Sequence, residues 1–443
     1  MCKGLYESAA FVVGNAVDGT TDPVQLRVGV FQGCPLSPQL FNTAISPLLF
    51  ALQRLPDTGV QLSSDDRLGA SAYADDLKIF SGTEGGIKRQ HALVTDFLRW
   101  TGMAANPGKC CTMSVQRDHR GVLKAEDLQL QLDGSPIPAL SMSASYTYLG
   151  IGDGFDHVRR RVELAPTLKL LKDDATALMQ SGLAPWQVAK AVKTYLYPRV
   201  EYALRHLRPF QQQLAAFDRH LARGLRHLLR LPATATAEWL YAPTSRGGLG
   251  LLPLTELHAA LQVAHGWQIL HAKDPAIRRI ARVQLRQIAD ARHRLDAHAW
   301  EGRDEELCTM LLNSQLGTSP DAPPNRRNGD IGSLWIDVQR HLRTLELKLE
   351  TAPACTETGA AAATLQLRVP HHEKWLEHST VLRHVKLHIK HKHWRRWAEM
   401  RDQGKTARAH GGTGSAFLTR PRGLWESDYR FAVAARLNQL DTH

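Results

Sequence analysis

Short apolar runs separated by turn residues fill the first third of the chain. Residues 9–13 and 24–30 flank Asp18-Gly19-Thr20-Thr21-Asp22-Pro23, a pattern that predicts a β-hairpin. The period then changes. Leu40, Phe41, Ala44, Ile45, Leu48, Leu49 and Leu52 recur at helical spacing, so residues 38–55 read as a buried helix. A second hairpin is expected around Ala74-Asp75-Asp76-Leu77, with Leu77, Ile79 and Phe80 beyond its tip, and residues 87–100 return to helical spacing. Residues 159–231 look helical throughout. Pro185 suits the first turn of a helix running to Leu204, since a first-turn proline loses no intrahelical bond. Residues 211–231 place Leu214, Phe217, Leu221, Leu225 and Leu228 on one stripe, with Arg219, Arg223, Arg226 and Arg230 elsewhere on the surface. The remainder is helix-rich and interrupted at residues 319–331 and 351–364, whose composition reads as linker.

Composition narrows the class. The 443 residues carry 55 Lys+Arg against 43 Asp+Glu, a net charge of +12 that points toward an anionic partner. Hydrophobic residues at 43% and charged residues at 22% are ordinary globular usage, which excludes a wholly disordered or collagen-like chain. No apolar run approaches the roughly 18 residues of a membrane span; residues 44–52 come nearest and contain Pro47. Cys2, Cys34, Cys110, Cys111, Cys308 and Cys355 never take C-x2-C spacing, and no hydrophobic signal segment follows Met1-Cys2-Lys3-Gly4. Neither a disulfide framework nor a zinc site is expected, and an intracellular setting is.

Two short stretches could carry chemistry. An Asp-Asp pair alone is usually a solvated turn, but Asp75-Asp76 sits between Ser71-Ala72-Tyr73-Ala74 and Leu77-Lys78-Ile79-Phe80. Two carboxylates at the mouth of an apolar hairpin suit Mg2+, which takes carboxylate oxygens together with water and substrate phosphate. Upstream, Gly29-Val30-Phe31-Gln32-Gly33-Cys34-Pro35-Leu36-Ser37-Pro38 combines a glycine that lets a ligand approach the backbone, the Gln32 amide and two stiffening prolines. The plainer reading is a tight turn with Ser37 capping a helix that has Pro38 at its first position.

The order and spacing of these residues resemble reverse transcriptases of non-LTR (LINE-type) retrotransposons. Gln32-Gly33-Cys34-Pro35-Leu36-Ser37-Pro38 with Leu40-Phe41-Asn42, then Tyr73-Ala74-Asp75-Asp76, look like motifs B and C. Thr101-Gly102-Met103 with Asn106 and Lys109 is similar to motif D, and Tyr148-Leu149-Gly150-Ile151 to the primer-grip motif E. Leu231-Pro232, Tyr241-Ala242-Pro243, Gly247-Gly248-Leu249-Gly250, and Asp428-Tyr429 with Ala432 and Arg436-Leu437-Asn438 resemble the region beyond the thumb in the site-specific group that carries a restriction-like endonuclease.

The resemblance implies an α+β fold: a partial reverse transcriptase palm of antiparallel strands packed with helices over residues 1–151, a helical thumb over 152–232, and a helix-rich basic region over 233–443. It implies RNA-directed DNA synthesis by two-metal nucleotidyl transfer, with Mg2+, deoxynucleoside triphosphates, an RNA template, a DNA primer or target, no membrane, and a nuclear setting. Asp75 becomes a metal-binding carboxylate with Asp76 beside the metals; Gln32 and Gly33 line the nucleotide; Tyr148, Leu149 and Gly150 position the primer end; and Lys109 is a proton donor to pyrophosphate. Phe31 stands where the family often has arginine.

The family's first catalytic aspartate lies on a motif A upstream of motif B, and only the first predicted hairpin precedes Gln32 here, with Asp18 and Asp22 in its turn. The fingers, and the zinc knuckle and endonuclease that would follow His443, are not in the sequence either. The chain is therefore expected to be an internal piece of a longer polymerase, with an incomplete Mg2+ site and no activity alone. The alternative is a non-catalytic nucleic-acid-binding relic that uses the thumb and the basic C-terminal region.

Residues 381–408 hold nine Lys/Arg against Glu399 and Asp402. Lys386, Lys390, Lys392, Arg395 and Arg396 are the expected phosphate contacts, with Trp394 and Trp397 available for stacking and His384, His388, His391 and His393 as latent charge. Val385, Leu387 and Ile389 alternate like a strand, so the local structure is open. His372-Glu373 and His378 do not make a zincin site, because helical positions six apart lie about 120° around the axis. The 247–250 glycines read as a turn, since no Lys-Ser/Thr follows them.

Overall fold

The computed structural model describes residues 10–15, 17–25, 29–31, 33–62, 67–155, 164–293, 304–315, 333–352, 364–368, 380–421 and 423–440. They form two compact units, Met1–Gly150 and Ile151–His443. The class is α+β, with helices and small antiparallel strand pairs.

In the first unit, Ala10–Phe11 pairs with Val24–Gln25 around an inner pair of Gly14–Asn15 and Gly19–Thr20, which is the first expected hairpin. Helix α1, Ser37–Arg54, buries Ile45, Leu48 and Leu52, the inner edge of the apolar stripe. Leu36 rather than Ser37 occupies its N-cap position, and no side chain caps it. The Ser37 hydroxyl donates instead to the Phe31 carbonyl at 2.6 Å, tying back the preceding loop. Helix α2, Glu84–Thr101, overruns its apolar period at both ends because two residues stop it. The Thr83 hydroxyl accepts from Gly86 N, and Gly102 closes the helix in the left-handed region at φ 71°. Ile45, Leu48, Leu52, Ala70 and Phe97 form the core between α1, α2 and the second hairpin, with Leu77 and Ile79 packed against it.

The second unit has one continuous core, drawn from residues 164 to 437. Its helices are α3 Ala165–Gln180, α4 Pro185–Ala191, α5 Tyr197–His206, α6 Gln211–Leu228, α7 Glu238–Tyr241, α8 Leu254–Leu270, α9 Pro275–His293, α10 Asp304–Leu312, α11 Leu334–Leu345, α12 Val381–Glu399, α13 Lys405–His410 and α14 Glu426–Arg436. The single helix expected from Pro185 to Leu204 is interrupted by a π turn, Val192–Leu196. Pro198 explains it: its ring nitrogen cannot donate back to residue 194, and the extra residue of the wide turn absorbs the mismatch.

Helix α8 is apolar on nearly every side and is buried accordingly, packed by α5, α6, α9, α11 and α12. A helix start inside a core needs partners for its amides. Asp218 of α6 supplies them: one carboxylate oxygen accepts from Leu254 N at 2.6 Å, the other from Thr255 N at 3.3 Å and the Thr255 hydroxyl at 3.0 Å. Burial outweighs these bonds and lifts the carboxyl to about 6.

Helix α12 is locked by a buried ionic group. His393 hydrogen-bonds Glu238 of α7 through Nδ1 and Glu256 of α8 through Nε2, the latter at 2.5 Å, while the Tyr241 ring lies 4.9 Å away. Burial opposes its charge, but the bonds to the two carboxylates and their charge prevail and raise the imidazole to about 9. A second tie crosses nearly two hundred residues. The Arg436 guanidinium covers Gly247 and donates to the Gly411 carbonyl at 2.6 Å. Thus the glycine turn and the Arg436 segment, separate in sequence, form one structure.

Gly247 has φ 87°, and a Cβ there would meet the guanidinium at 2.0 Å. Gly247→Ala is expected to destabilise the second unit by about 2 kcal/mol or more in denaturant unfolding. Adding Arg436→Ala should recover only the part that comes from the clash. For His393 the folded value of about 9 exceeds the ordinary 6.5, so its contribution is complete below pH 6.5 and is lost as pH rises through 9. The melting temperature should fall across that window relative to His393→Gln, which lacks the group; using the difference removes the opposite drift from Lys390, whose value is lowered to about 8.

Candidate active site and nucleic-acid interface

The site begins with strand alternation. Ala70–Tyr73 and Asp76–Ile79 pair with Tyr73 opposite Asp76 and Ala70 opposite Ile79, leaving Ala74 and Asp75 as the two loop residues. Leu77 and Ile79 point into the α1/α2 core, and residues 71–76 are exposed. The apolar base therefore anchors a tip that presents both carboxylates to water. Ala74 turns the corner at φ 51°, a conformation that costs a residue with a Cβ about 1–2 kcal/mol.

Period two sends Lys78 away from Leu77 and Ile79. Its ammonium lies 4.1 Å from the Tyr148 ring centroid and 5.2 Å from that of Tyr146, on the strand Tyr146–Tyr148. This cation–π contact holds the predicted primer-grip strand against the carboxylate hairpin. Sequence reasoning misses Lys78, although the inward positions on either side of it are the available signal. Leu149 and Gly150 follow with φ 49° and 77°, turning the chain after the strand.

Gln32 lies outside the described residues, as do His372, Glu373 and His378. Gly33 is exposed at φ 85°, and nothing lies within 4 Å of where a Cβ would stand, so a ligand can reach the backbone. Lys109 ends a short turn, Pro107–Lys109, in which the Asn106 carboxamide oxygen accepts from Gly108 N at 3.0 Å; its side chain is exposed. Among the described residues no hydrogen bond or ion pair joins Gly33 or Lys109 to the hairpin tip. Among them, too, no group of three or more His, Cys, Asp or Glu stands ready to hold a metal ion. Asp75 and Asp76 offer two hard oxygen donors, a set that suits Mg2+ only when substrate phosphate or another carboxylate completes it.

The expected basic stretch needs correction. Residues 381–399 are a helix, and its Val381, Val385, Ile389 and Trp397 are core residues. Lys392 is buried, with its ammonium 2.6 Å from Glu346 and 3.2 Å from the Thr344 carbonyl. Lys386 pairs with Glu201 at 2.6 Å. Trp397 donates to the Gln403 carbonyl at 2.8 Å, and Arg246 covers the Trp394 ring at 4.8 Å. His388 and His393 are internal groups, not latent surface charge. Of the five expected contacts Arg396 alone is exposed, with Lys386, Lys390 and Arg395 half-buried. Helical wrapping explains this: every third or fourth position of a basic segment turns inward and must pair there.

A different basic face is open. Arg219, Arg223 and Arg226 of α6 and Arg230 just beyond it have no carboxylate partner among the described residues. Two neighbouring concavities of about 580 and 640 Å³ share Arg223 and His227; Arg219 and Arg226 line the first, and Arg230 and Arg430 the second.

Residues 3–167 match the family described as reverse transcriptase (RNA-dependent DNA polymerase). The chain is 25% identical over 405 residues to the Pol polyprotein from the type-1 retrotransposable element R2 of Popillia japonica, covering 85% of this chain and 64% of that protein. It is 29% identical over 229 residues to the Pol polyprotein from the type-2 element R2DM of Drosophila melanogaster, covering 50% of this chain and 20% of that one. The chain thus spans less than two thirds of these relatives. Residues 3–167 are similar to reverse transcriptases, and these relatives are Pol polyproteins of R2 retrotransposable elements.

Proposed function

We propose that this chain contributes the motif B to E portion of an RNA-directed DNA polymerase, with Asp75 and Asp76 as metal-binding carboxylates. The observation that carries this reading is the Tyr73-Ala74-Asp75-Asp76 tip, anchored by Leu77 and Ile79 and coupled through Lys78 to Tyr148. Bound Mg2+ would supply Lewis-acid activation of a primer hydroxyl and stabilise the departing pyrophosphate. The protein's own part is positional. Tyr148, Leu149 and Gly150 seat the primer end beside the tip, Gly33 admits the nucleotide, and the Lys109 ammonium offers a proton to pyrophosphate. An RNA template, a DNA primer and deoxynucleoside triphosphates are the partners of this reading, and a nuclear setting goes with it. No described helix is long and apolar enough to cross a membrane.

Two carboxylates from one hairpin leave two divalent ions undercompensated, so we propose that these 443 residues do not extend a primer alone. Grafted into an R2-type polymerase in place of its matching segment, residues 29–150 should support extension on an RNA template. There Asp75→Ala should lower the rate at least about a hundredfold. Extension by the isolated chain, abolished by Asp75→Ala, would show that the ligand set is complete without a further donor.

The arginines of α6, which have no carboxylate partner among the described residues, favour a second reading, a nucleic-acid-binding chain that acts without catalysis. Guanidinium groups along one helix face suit successive phosphates. Arg219→Gln with Arg223→Gln should weaken oligonucleotide binding and reduce the slope of log K against log salt by about 0.7–0.9 for each phosphate no longer neutralised. Asp75→Ala should leave both unchanged. Fluorescence anisotropy over a salt series measures this.

A further inference from the structure

Two lysines, neither adjacent to it in sequence, approach the 247–250 turn, and a third stands near them. The Lys193 ammonium, carried by the π turn, donates to the Leu249 carbonyl at 3.0 Å. Lys390, on α12, brings its ammonium to 3.8 Å from where a Cβ of Gly250 would stand. Lys386 lies one helical turn before Lys390 and is paired with Glu201. Neither Lys193 nor Lys390 has a carboxylate partner among the described residues, although both are half-buried. Two ammonium groups held out of water beside a third, against one carboxylate, make an electrostatically incomplete site.

The turn itself cannot supply what is missing. The amides of Gly247, Gly248, Leu249 and Gly250 donate to the carbonyls of Thr244, Pro243, Trp239 and Ala242. This is therefore no amide cradle of the kind found before a helix, and any anion here is held by side-chain cations. Gly250 has φ 67°, and a Cβ there would stand 3.1 Å from the Thr244 methyl and 3.8 Å from the Lys390 ammonium, so only glycine lets the backbone approach this closely. A half-buried cluster of ammonium groups admits a compact anion with several oxygens, whereas the arginine face of α6 is laid out for an extended one. The π turn that aims Lys193 is a local irregularity of a type often found at functional sites.

We propose that Lys193, Lys386 and Lys390 form a pocket for a single phosphate group, either free or at the end of a polynucleotide, at the Leu249–Gly250 turn. The polynucleotide case rests on the nucleic-acid reading above; the free phosphate case does not. Burial, then the charges of Lys193 and Lys386, lower Lys390 to about 8, so it is an acylatable amine near neutral pH. A bound phosphate supplies the missing counter-charge, returning the amine toward its ordinary value and shielding it.

The test treats the full chain with limiting acetylating reagent and reads each lysine by peptide mass spectrometry. The exposed Lys169 is the internal control. Inorganic phosphate, or an oligonucleotide with a terminal phosphate, should suppress acetylation of Lys390 about fivefold or more and leave Lys169 unchanged. Protection by both identifies free phosphate as sufficient, and protection by the phosphorylated oligonucleotide alone identifies the polynucleotide end. Lys193→Gln, checked for an unchanged circular dichroism spectrum, should raise the phosphate concentration needed about tenfold. No protection by either ligand would overturn the pocket, as would protection indifferent to Lys193→Gln or equal protection by the dephosphorylated oligonucleotide. Anisotropy of the Arg219→Gln, Arg223→Gln variant reports on the α6 face separately, so its failure leaves the Lys390 result readable.

Discussion

Side-chain alternation along one short strand is the constraint on which the candidate active site depends. Two carboxylates next to each other repel, and neither gains from leaving water, so nothing local fixes them in place. Leu77 and Ile79 do so indirectly: burying them against α1 and α2 sets the register of the strand. With that register fixed, the Asp75-Asp76 tip must project outward and Lys78 must face away from the core, where the Tyr148 ring receives it.

The second unit shows the complementary problem of charges inside a core. It meets several of them with an explicit partner. Asp218 closes the start of α8, and Arg208 grips Asp337 at 2.6 Å. His393 sits charged between Glu238 and Glu256, while burial holds His258 and His341 neutral, pushing them to about 4 and 3. Such pairs add little net stability over an apolar core, but removing one partner is costly, so they select a single packing of α6, α7, α8 and α12. Lys193 and Lys390 stand apart because they have no carboxylate partner among the described residues.

These arrangements explain why basic composition is a poor guide to location. The densest run of Lys and Arg, residues 381–408, spends Lys386 and Lys392 on ion pairs with Glu201 and Glu346. The sparser row on α6 has no carboxylate partner among the described residues and lines two concavities. Net charge speaks to the chemistry of a partner, whereas the surface that meets the partner is set by which charges remain uncompensated after packing.

Much of the local structure is legible in the amino-acid order. The helix after Ser37, the Asp75-Asp76 hairpin and the apolar stripe of α6 follow from periodicity, because burying one face imposes a repeat on neighbouring residues. The candidate motifs near Gln32, Asp75 and Tyr148 are read from the sequence because they are short and continuous. Other features are not, since they join positions far apart in the chain. Arg436 over Gly247, His393 between two helices, and Lys193 beside Lys390 each require segments tens to hundreds of residues apart to meet. Periodicity records what a residue does for its own helix or strand; the charge that will stand opposite it is chosen only when the elements pack.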